Sequence, residues 1–300
     1  MVIKNFAQLI GRVKKFDQKK RLAVVAAQDE HTLEAVIKAH AEEIVDAVLI
    51  GNAAKIKSEL KKLQYSFPEE SIIDTDDDKD AAYRAMDLVN AGKVDLLMKG
   101  KIQTADLLAA VVDKDRGIRK NKAVLSHVVL NEIPSYHKLV VTTDGGMMMY
   151  PNLIQKIGIL ENAINVLLSL GYKQPKVAVL AAVEQVNPKM PESVDGAKLK
   201  EMNQAGEITN CLIEGPISYD LAISKESALL KGYQSPVTGD VDILLVPNIT
   251  AGNILGKALL WSAGAKMAGF VVGAKVPIVL TSRGASAEEK YLSLVCSAAV

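Results

Sequence analysis

Apolar runs of strand length alternate with stretches of helical periodicity along nearly the whole chain. The first series is Leu22–Ala27, Ala47–Ile50, Ser71–Asp74, Val94–Met98 and Ala123–Leu130. The second is Leu139–Thr143, Lys176–Val183, Ile208–Ile213, Val241–Val246, Gly269–Gly273 and Val276–Thr281. Between them lie helical stretches such as "HTLEAVIKAHAEEI" and "NLIQKIGILENAINVLLSLG", the latter with Leu153, Ile157, Leu160, Ile164, Leu167 and Leu168 on one face. At the start, Ile3, Phe6, Leu9, Ile10 and Val13 share a helical face, which predicts a docking helix. Continuous aliphatic strands alternating with helices imply parallel or mixed sheets covered on both faces. About eleven strands are many for one doubly wound sheet, so two α/β/α domains are expected. The polar stretch "NEIPSYHK" at 131–138 is the candidate crossover between them.

Composition narrows the class. The 300 residues suffice for two domains, and with 49% hydrophobic but only 4% aromatic residues the core must be aliphatic. A formal net charge of +1, mixed along the chain, gives no electrostatic case for nucleic acid or an anionic membrane. The segment from Ile243 to Leu280 is apolar, but lysines interrupt it. Its longest uncharged run is 14 residues, short of the roughly 18 a membrane span needs. The N-terminus lacks the apolar core and cleavage site of a signal peptide. Two cysteines, Cys211 and Cys296, make no disulfide framework or zinc spacing, and a reducing cytoplasm is the expected compartment. The acidic cluster "DTDDDKD" at 74–80 is read as a solvated helix start rather than a cation site.

Several familiar sites are absent from the sequence. "VVAAQDEHT" stands where a dinucleotide fingerprint would follow the first strand, and no GxSxG elbow occurs. "AGNILGKA" at 251–258 has its glycines one residue too close for a P-loop and Ala258 at the magnesium position, so close helix packing explains it better. The four histidines show no metal-ligand spacing. Ligands of open α/β sheets sit at the carboxyl ends of strands, and seven loops there combine backbone freedom with hydrogen-bonding groups. They are "LLMKGKIQT" (Lys99, Gly100, Thr104), "TTDGG" (Asp144), "NPKMPESVD" (Asn187, Lys189), "EGPISYD" (Gly215, Pro216), "SPVTGD" (Ser235, Pro236, Gly239), "VPNITAGN" (Asn248, Gly252, Asn253) and "TSRGAS" (Ser282, Arg283). Taken together on one edge, they point to an anion cleft that handles phosphate.

"LMKGKIQT", "NPKMPESVD", "EGPISYDLAIS", "SPVTGDVDILLVPNITAGNILGKAL" and "LTSRGASAEEK" resemble the phosphate acetyl/butyryltransferase family, the butyryl branch most closely. The resemblance runs from about residue 20 to the end. It implies two α/β/α domains around a cleft, a fold shared with the isocitrate/isopropylmalate dehydrogenase group. By the same resemblance, residues 1–130 plus 273–300 form the first domain and 131–272 the second. The implied reaction moves a short acyl group, butyryl or branched, between coenzyme A and inorganic phosphate, reversibly. It involves no metal and no bound cofactor, coenzyme A being a substrate, and the protein is expected to be a homo-oligomer.

Carried over to this chain, the resemblance puts Ser282 and Arg283 at the reacting centre. A planar guanidinium can hold two phosphate oxygens and a hydroxyl can stabilise an oxyanion. Gly284 would let the backbone pass close to the ligand. Glu289 stands where the acetyl branch has an aspartate, a candidate base for the coenzyme A thiol. The other loop residues named above are implied to bind substrate or coenzyme A. The acetyl branch tends to have an arginine in the helix after "TAD", where this chain has Ala109, so Lys99 is the candidate to compensate. Three readings compete with the main one. Phosphate acetyltransferase differs only in the acyl group. A metal- and NAD-dependent decarboxylating dehydrogenase of the same fold needs an aspartate cluster and a substrate arginine group, which cannot be assembled from this sequence. A non-catalytic acyl-CoA-binding protein would not need the intact T-S-R and A-G-N stretches.

Overall fold

The computed structural model describes residues 2–121, 123–282 and 284–300. After helix α1 (Phe6–Val13), strand β1 (Lys20–Val25) ends in four consecutive buried residues, as a strand covered on both faces must. The chain continues through α2 (Glu30–Ala41), β2 (Val45–Gly51), α3 (Ala53–Lys62), β3 (Ile72–Asp74), α4 (Asp78–Asn90), β4 (Leu96–Lys99) and α5 (Thr104–Val111). Then come β5 (Ser126–Glu132), β6 (Val140–Thr143), α6 (Leu153–Ser169), β7 (Lys176–Leu180), α7 (Pro191–Gln204) and β8 (Leu212–Ile217). Two short helices, α8 (Tyr219–Ile223) and α9 (Lys225–Leu230), precede β9 (Ile243–Leu245) and α10 (Ile249–Trp261). The last elements are β10 (Lys266–Val272), β11 (Ile278–Val279) and α11 (Ala287–Ala298).

The chain divides into two compact units. One comprises residues 6–123 and 268–300, the other residues 2–5 and 124–267. In the first, the strand order is β3-β2-β1-β4-β11-β10, all parallel except β10, which runs antiparallel to β11. In the second it is β5-β6-β9-β7-β8, with β5 antiparallel to β6 and the rest parallel. Helix starts in both units are fixed by short polar side chains that satisfy otherwise orphaned N–H groups. Asp29, Asn52, Asp77, Asn152, Asn248 and Ser286 cap α2, α3, α4, α6, α10 and α11. The acidic cluster is thus a helix start, with Asp77 accepting from the Asp80 N–H at 2.8 Å.

The observed boundaries differ from the expected 130/131 and 272/273. Residues 131–138 are not a crossover. They span the end of β5 and the turn of the β5–β6 hairpin, and the antiparallel pairing Val129–Thr142, Leu130–Val141 and Asn131–Val140 places β5 in the second unit. The first residues also belong there, because the Ile3 carbonyl accepts from Leu139 N (3.1 Å) and the Ile3 N–H donates to the Tyr172 hydroxyl (3.2 Å). Helix α1 docks in the first unit, with Phe6, Leu9 and Val13 buried and α11 as its neighbour. The strand expected at 208–213 is displaced to Leu212–Ile217.

Candidate active site

In the first unit the carboxyl ends of β1, β4 and β11 lie side by side in parallel register, Val25 beside Lys99 and Val279 beside Met98. Gly100 welds the first two ends. Its N–H donates to the Val25 carbonyl at 2.8 Å, and a Cβ there would fall 2.2 Å from the Ala26 carbonyl oxygen, so no other residue fits. Lys99, only 7% exposed, donates to the Gly100 carbonyl at 3.1 Å. Thr104 opens α5 and is exposed. Two residues past β11, Thr281 leads into the exposed Ser282. Arg283 lies outside the described residues. Ser286 then caps α11 by accepting from Glu289 N at 3.1 Å. Burial raises the Glu289 carboxyl above its ordinary range, with Lys290 working against that rise. The parallel strand ends therefore gather a hydroxyl, a carboxylate in a low-dielectric setting and two buried ammonium groups.

In the second unit Asp144 follows β6 and Asn248 follows β9, again at carboxyl ends. Asp144 is 2% exposed, and both its oxygens are occupied by backbone N–H groups of its own loop: Gly146 (2.9 Å), Met147 (2.9 Å) and Met148 (3.1 Å). Its side chain thereby builds the loop in which it lies. Burial holds its carboxyl high and holds the neighbouring His127 imidazole low. The Asn248 Oδ1 caps α10, accepting from Ala251 N at 3.0 Å. Gly252 lets α10 meet that loop, since a Cβ there would stand 2.7 Å from the Gly145 Cα. Asn253, in the second turn of α10, is exposed. Asn187 and Lys189, after β7, are exposed too. The Asn187 Oδ1 accepts from Lys189 N at 3.0 Å, and its backbone brackets the buried Ser193 hydroxyl.

Two groups of expected residues fall elsewhere. Gly215 and Pro216 are strand residues inside β8, buried by packing. A Cβ on Gly215 would press on Val179 at 2.7 Å, and one on Gly196 of α7 would press on the Pro216 Cα at 2.9 Å. Ser235, Pro236 and Gly239 precede β9 and so stand at the amino edge of its sheet, opposite Asp144 and Asn248. Ser235 and Pro236 line a cavity of about 610 Å³ with Lys176, Lys225 and Asp240. Gly239, at φ +67°, makes the turn into the strand, where a Cβ would collide with Lys225. That edge is tied by ion pairs: Lys138 to Asp242 (2.6 Å) and Asp240 (2.8 Å), and Lys176 to Asp240 (2.6 Å).

Among the described residues, no group of three His, Cys, Asp or Glu is placed to hold a metal ion. Nor, among the described residues, is any helix long and apolar enough to cross a membrane. Both thiols are buried and pushed up by burial, Cys211 to about 11.

The family model described as phosphate acetyl/butaryl transferase matches residues 5–82 and 75–298. The chain is 40% identical to a phosphate butyryltransferase of Clostridium acetobutylicum over 299 residues, covering 100% of this chain and 99% of that one. It is 42% identical to a phosphate acetyltransferase of Thermotoga maritima over 279 residues, 93% and 94% of the two chains. Its fold matches the crystal structure of a branched-chain phosphotransacylase from Enterococcus faecalis V583 with a TM-score of 0.81 at 34% identity, covering 93% of this chain and 97% of that one.

Proposed function

We propose the function from one premise: this chain belongs to the phosphate acetyl/butaryl transferase family. It is an acyltransferase that converts a short-chain acyl-CoA and inorganic phosphate, reversibly, to acyl phosphate and coenzyme A. The observation that carries the mechanism is the segment after β11, where Ser282 and the half-buried Glu289 follow one another into α11 at a parallel strand end.

In the direction of acyl-CoA synthesis, the Glu289 carboxylate takes the proton of the coenzyme A thiol. The sulfur attacks the acyl carbonyl, the tetrahedral oxyanion accepts from the Ser282 hydroxyl, and phosphate departs with the bonding pair. Arg283 holds the phosphate oxygens by two parallel N–H contacts. In the other direction protonated Glu289 returns the proton to the leaving thiolate. A carboxyl raised by burial suits this exchange, because a base works best when its pKa approaches the operating pH. No acyl-enzyme is needed, and both cysteines are kept as thiols by burial. Buried unpaired thiols also support a reducing, cytoplasmic compartment. Lys99 supplies the further cation at the strand ends, and the exposed Thr104, Lys189 and Asn253 remain as candidate coenzyme A contacts. Asp144, Asn248, Gly252 and Gly100 support the loops on which such contacts sit.

The same proposal includes a homo-oligomer, a fold kinship with isocitrate and isopropylmalate dehydrogenases, and turnover that needs neither metal nor nicotinamide. Restoration of lost activity by magnesium after EDTA treatment would contradict the metal-free scheme. The acyl group is butyryl or a branched equivalent. Acetyl is the second reading, favoured by the likeness to an acetyltransferase of similar identity. Free thiol released from butyryl-CoA is the direct test: release that depends on added phosphate supports the reading, and release at the same rate without phosphate overturns it.

A further inference from the structure

One helical turn after the Ser282 segment, Lys290 is 5% exposed. Its Nζ donates to the Thr281 hydroxyl at 3.3 Å and stands 3.8 Å from Asp29 Oδ2. Thr281 immediately precedes Ser282. Asp29 caps α2 just beyond the carboxyl end of β1, accepting from Thr32 N at 3.0 Å and from the Thr32 hydroxyl. One ammonium thus bridges the ends of two strands that are not neighbours, with β4 between them. A lysine with its charge removed from water is costly unless anions and hydrogen bonds repay it. Here one hydroxyl and one carboxylate at long range serve three N–H donors among the described residues. Packing alone would have been served better by an apolar side chain.

We propose that Lys290 is a positioning residue for acyl transfer: it fixes the Thr281–Ser282 segment to the Asp29 cap of α2 and supplies the positive charge beside which Glu289 works as base. The second half rests on the reading of Glu289 given above. Lys290 itself neither gains nor loses a proton in the step. The thiol proton goes to Glu289, the sulfur–carbon bond forms, the carbon–oxygen bond to phosphate breaks, and phosphate keeps the pair.

The charges around this pair support the assignment. Burial pushes Glu289 up and Lys290 opposes it; burial pushes Lys290 down while Asp29 and Glu289 oppose that. Burial also works against the Asp29 charge, yet Thr32 and Lys290 hold its carboxyl below the ordinary range. From α2, His31 stands near Asp29, while Lys38 lies over the Tyr291 ring and Glu42 accepts from the Tyr291 hydroxyl. Lys14, just past α1, pairs with Glu42. Strand β4 ends in Lys99, β11 carries no titratable group, and α11 adds Glu288.

The test is a set of pH–rate profiles on four folded variants: Lys290→Met, Lys290→Arg, Glu289→Gln and the double variant Glu289→Gln/Lys290→Met. Removing the cation disfavours ionised Glu289, so Lys290→Met should move the acid limb of kcat to higher pH. At pH values below the limb it should lower kcat about tenfold, which corresponds to roughly one pK unit of lost interaction, with KM for coenzyme A nearly unchanged. Lys290→Arg should return the limb towards its original position. On the Glu289→Gln background, Lys290→Met should add less than about a twofold further loss, because coupled residues are not additive. If Lys290→Met does not fold, Lys290→Gln keeps a donor to Thr281 without the charge, and the same limb shift is expected. An unmoved limb in folded Lys290→Met or Lys290→Gln, beside a Glu289→Gln enzyme that has lost the limb, overturns the inference and leaves the base reading standing. A Glu289→Gln enzyme that keeps both rate and limb overturns the base reading itself.

Discussion

Replacing Arg283 by alanine should lower kcat on the order of 10²–10³-fold, the range for removing one preorganised donor to a developing oxyanion. Lysine at 283 keeps the charge but not the planar two-point contact, so it should recover only part of that loss. Ser282→Ala should lower kcat while leaving coenzyme A binding nearly intact. Steady-state kinetics on variants with unchanged circular dichroism checks all three, and near-normal turnover of Arg283→Ala would make that arginine a helix-start ion pair. Glu289 carries a separate expectation. Only its ionised form accepts the thiol proton, and burial raises its carboxyl. Activity should therefore be present above a limb lying higher than the ordinary carboxylate range and be lost as pH falls through it. A rate that stays flat down to pH 4 would contradict this. At this scale a glycine such as Gly100 stands out in the sequence, and the close approach of the Ala26 backbone explains why it is there. The sequence says less where a polar group serves its own loop: Asp144 accepts three backbone N–H groups and the Asn248 Oδ1 caps α10, roles that composition alone does not show. Lys290 was missed because "SAEEKY" looks like a solvated helix turn. Only the docking of α11 on α1 and α2 buries that position.

At the scale of elements, the amino edge of β6, β9 and β7 is held by buried charge. Lys138 and Asp242 are each 4% exposed, and Asp242 also accepts from Lys176 N at 2.8 Å. Asp242→Ala should cost about 3–5 kcal/mol, the usual result of removing one partner from a buried pair. A denaturant midpoint shifted by the equivalent amount checks it, and a loss below about 1 kcal/mol, the level of an exposed pair, would contradict it. Burial works against the Asp240 charge, but Lys138, Lys176 and His137 together depress its carboxyl well below the ordinary range. Its stabilisation is therefore present above the unfolded carboxylate pKa and fades as pH falls towards the folded one. The eleven strands among the described residues each overlap an apolar run, which burial on both faces explains for most of them, though not for β3, where no residue is buried. Their ends were not legible. β8 takes in Gly215 and Pro216 because close contact with Val179 and Gly196 favours residues that otherwise signal a turn. The "SPVTGD" loop has the composition of a strand-end site, and only the direction of β9 shows that it enters from the opposite edge.

For the whole molecule, the acyl group is the open variable. One methylene in an apolar pocket is worth roughly 1–3 kcal/mol, so a butyryl-type enzyme should show kcat/KM for butyryl- or isobutyryl-CoA at least about tenfold above that for acetyl-CoA. Equal or better use of acetyl-CoA would assign the chain to the acetyl reading. The chain divides into two compact units, although the number of strands does not by itself require two. Their boundaries were not legible, because no flexible linker marks them and β5 joins the second unit through a hairpin. The central claim is that inorganic phosphate is the acyl acceptor, and one isotope experiment tests it most directly. The protein is incubated with butyryl-CoA and phosphate labelled with ¹⁸O, and the product is read by ³¹P nuclear magnetic resonance. Direct transfer predicts butyryl phosphate with label in the oxygen bridging carbon and phosphorus, formed in step with free coenzyme A. Coenzyme A released with butyrate as the product, and no labelled acyl phosphate, would contradict the account.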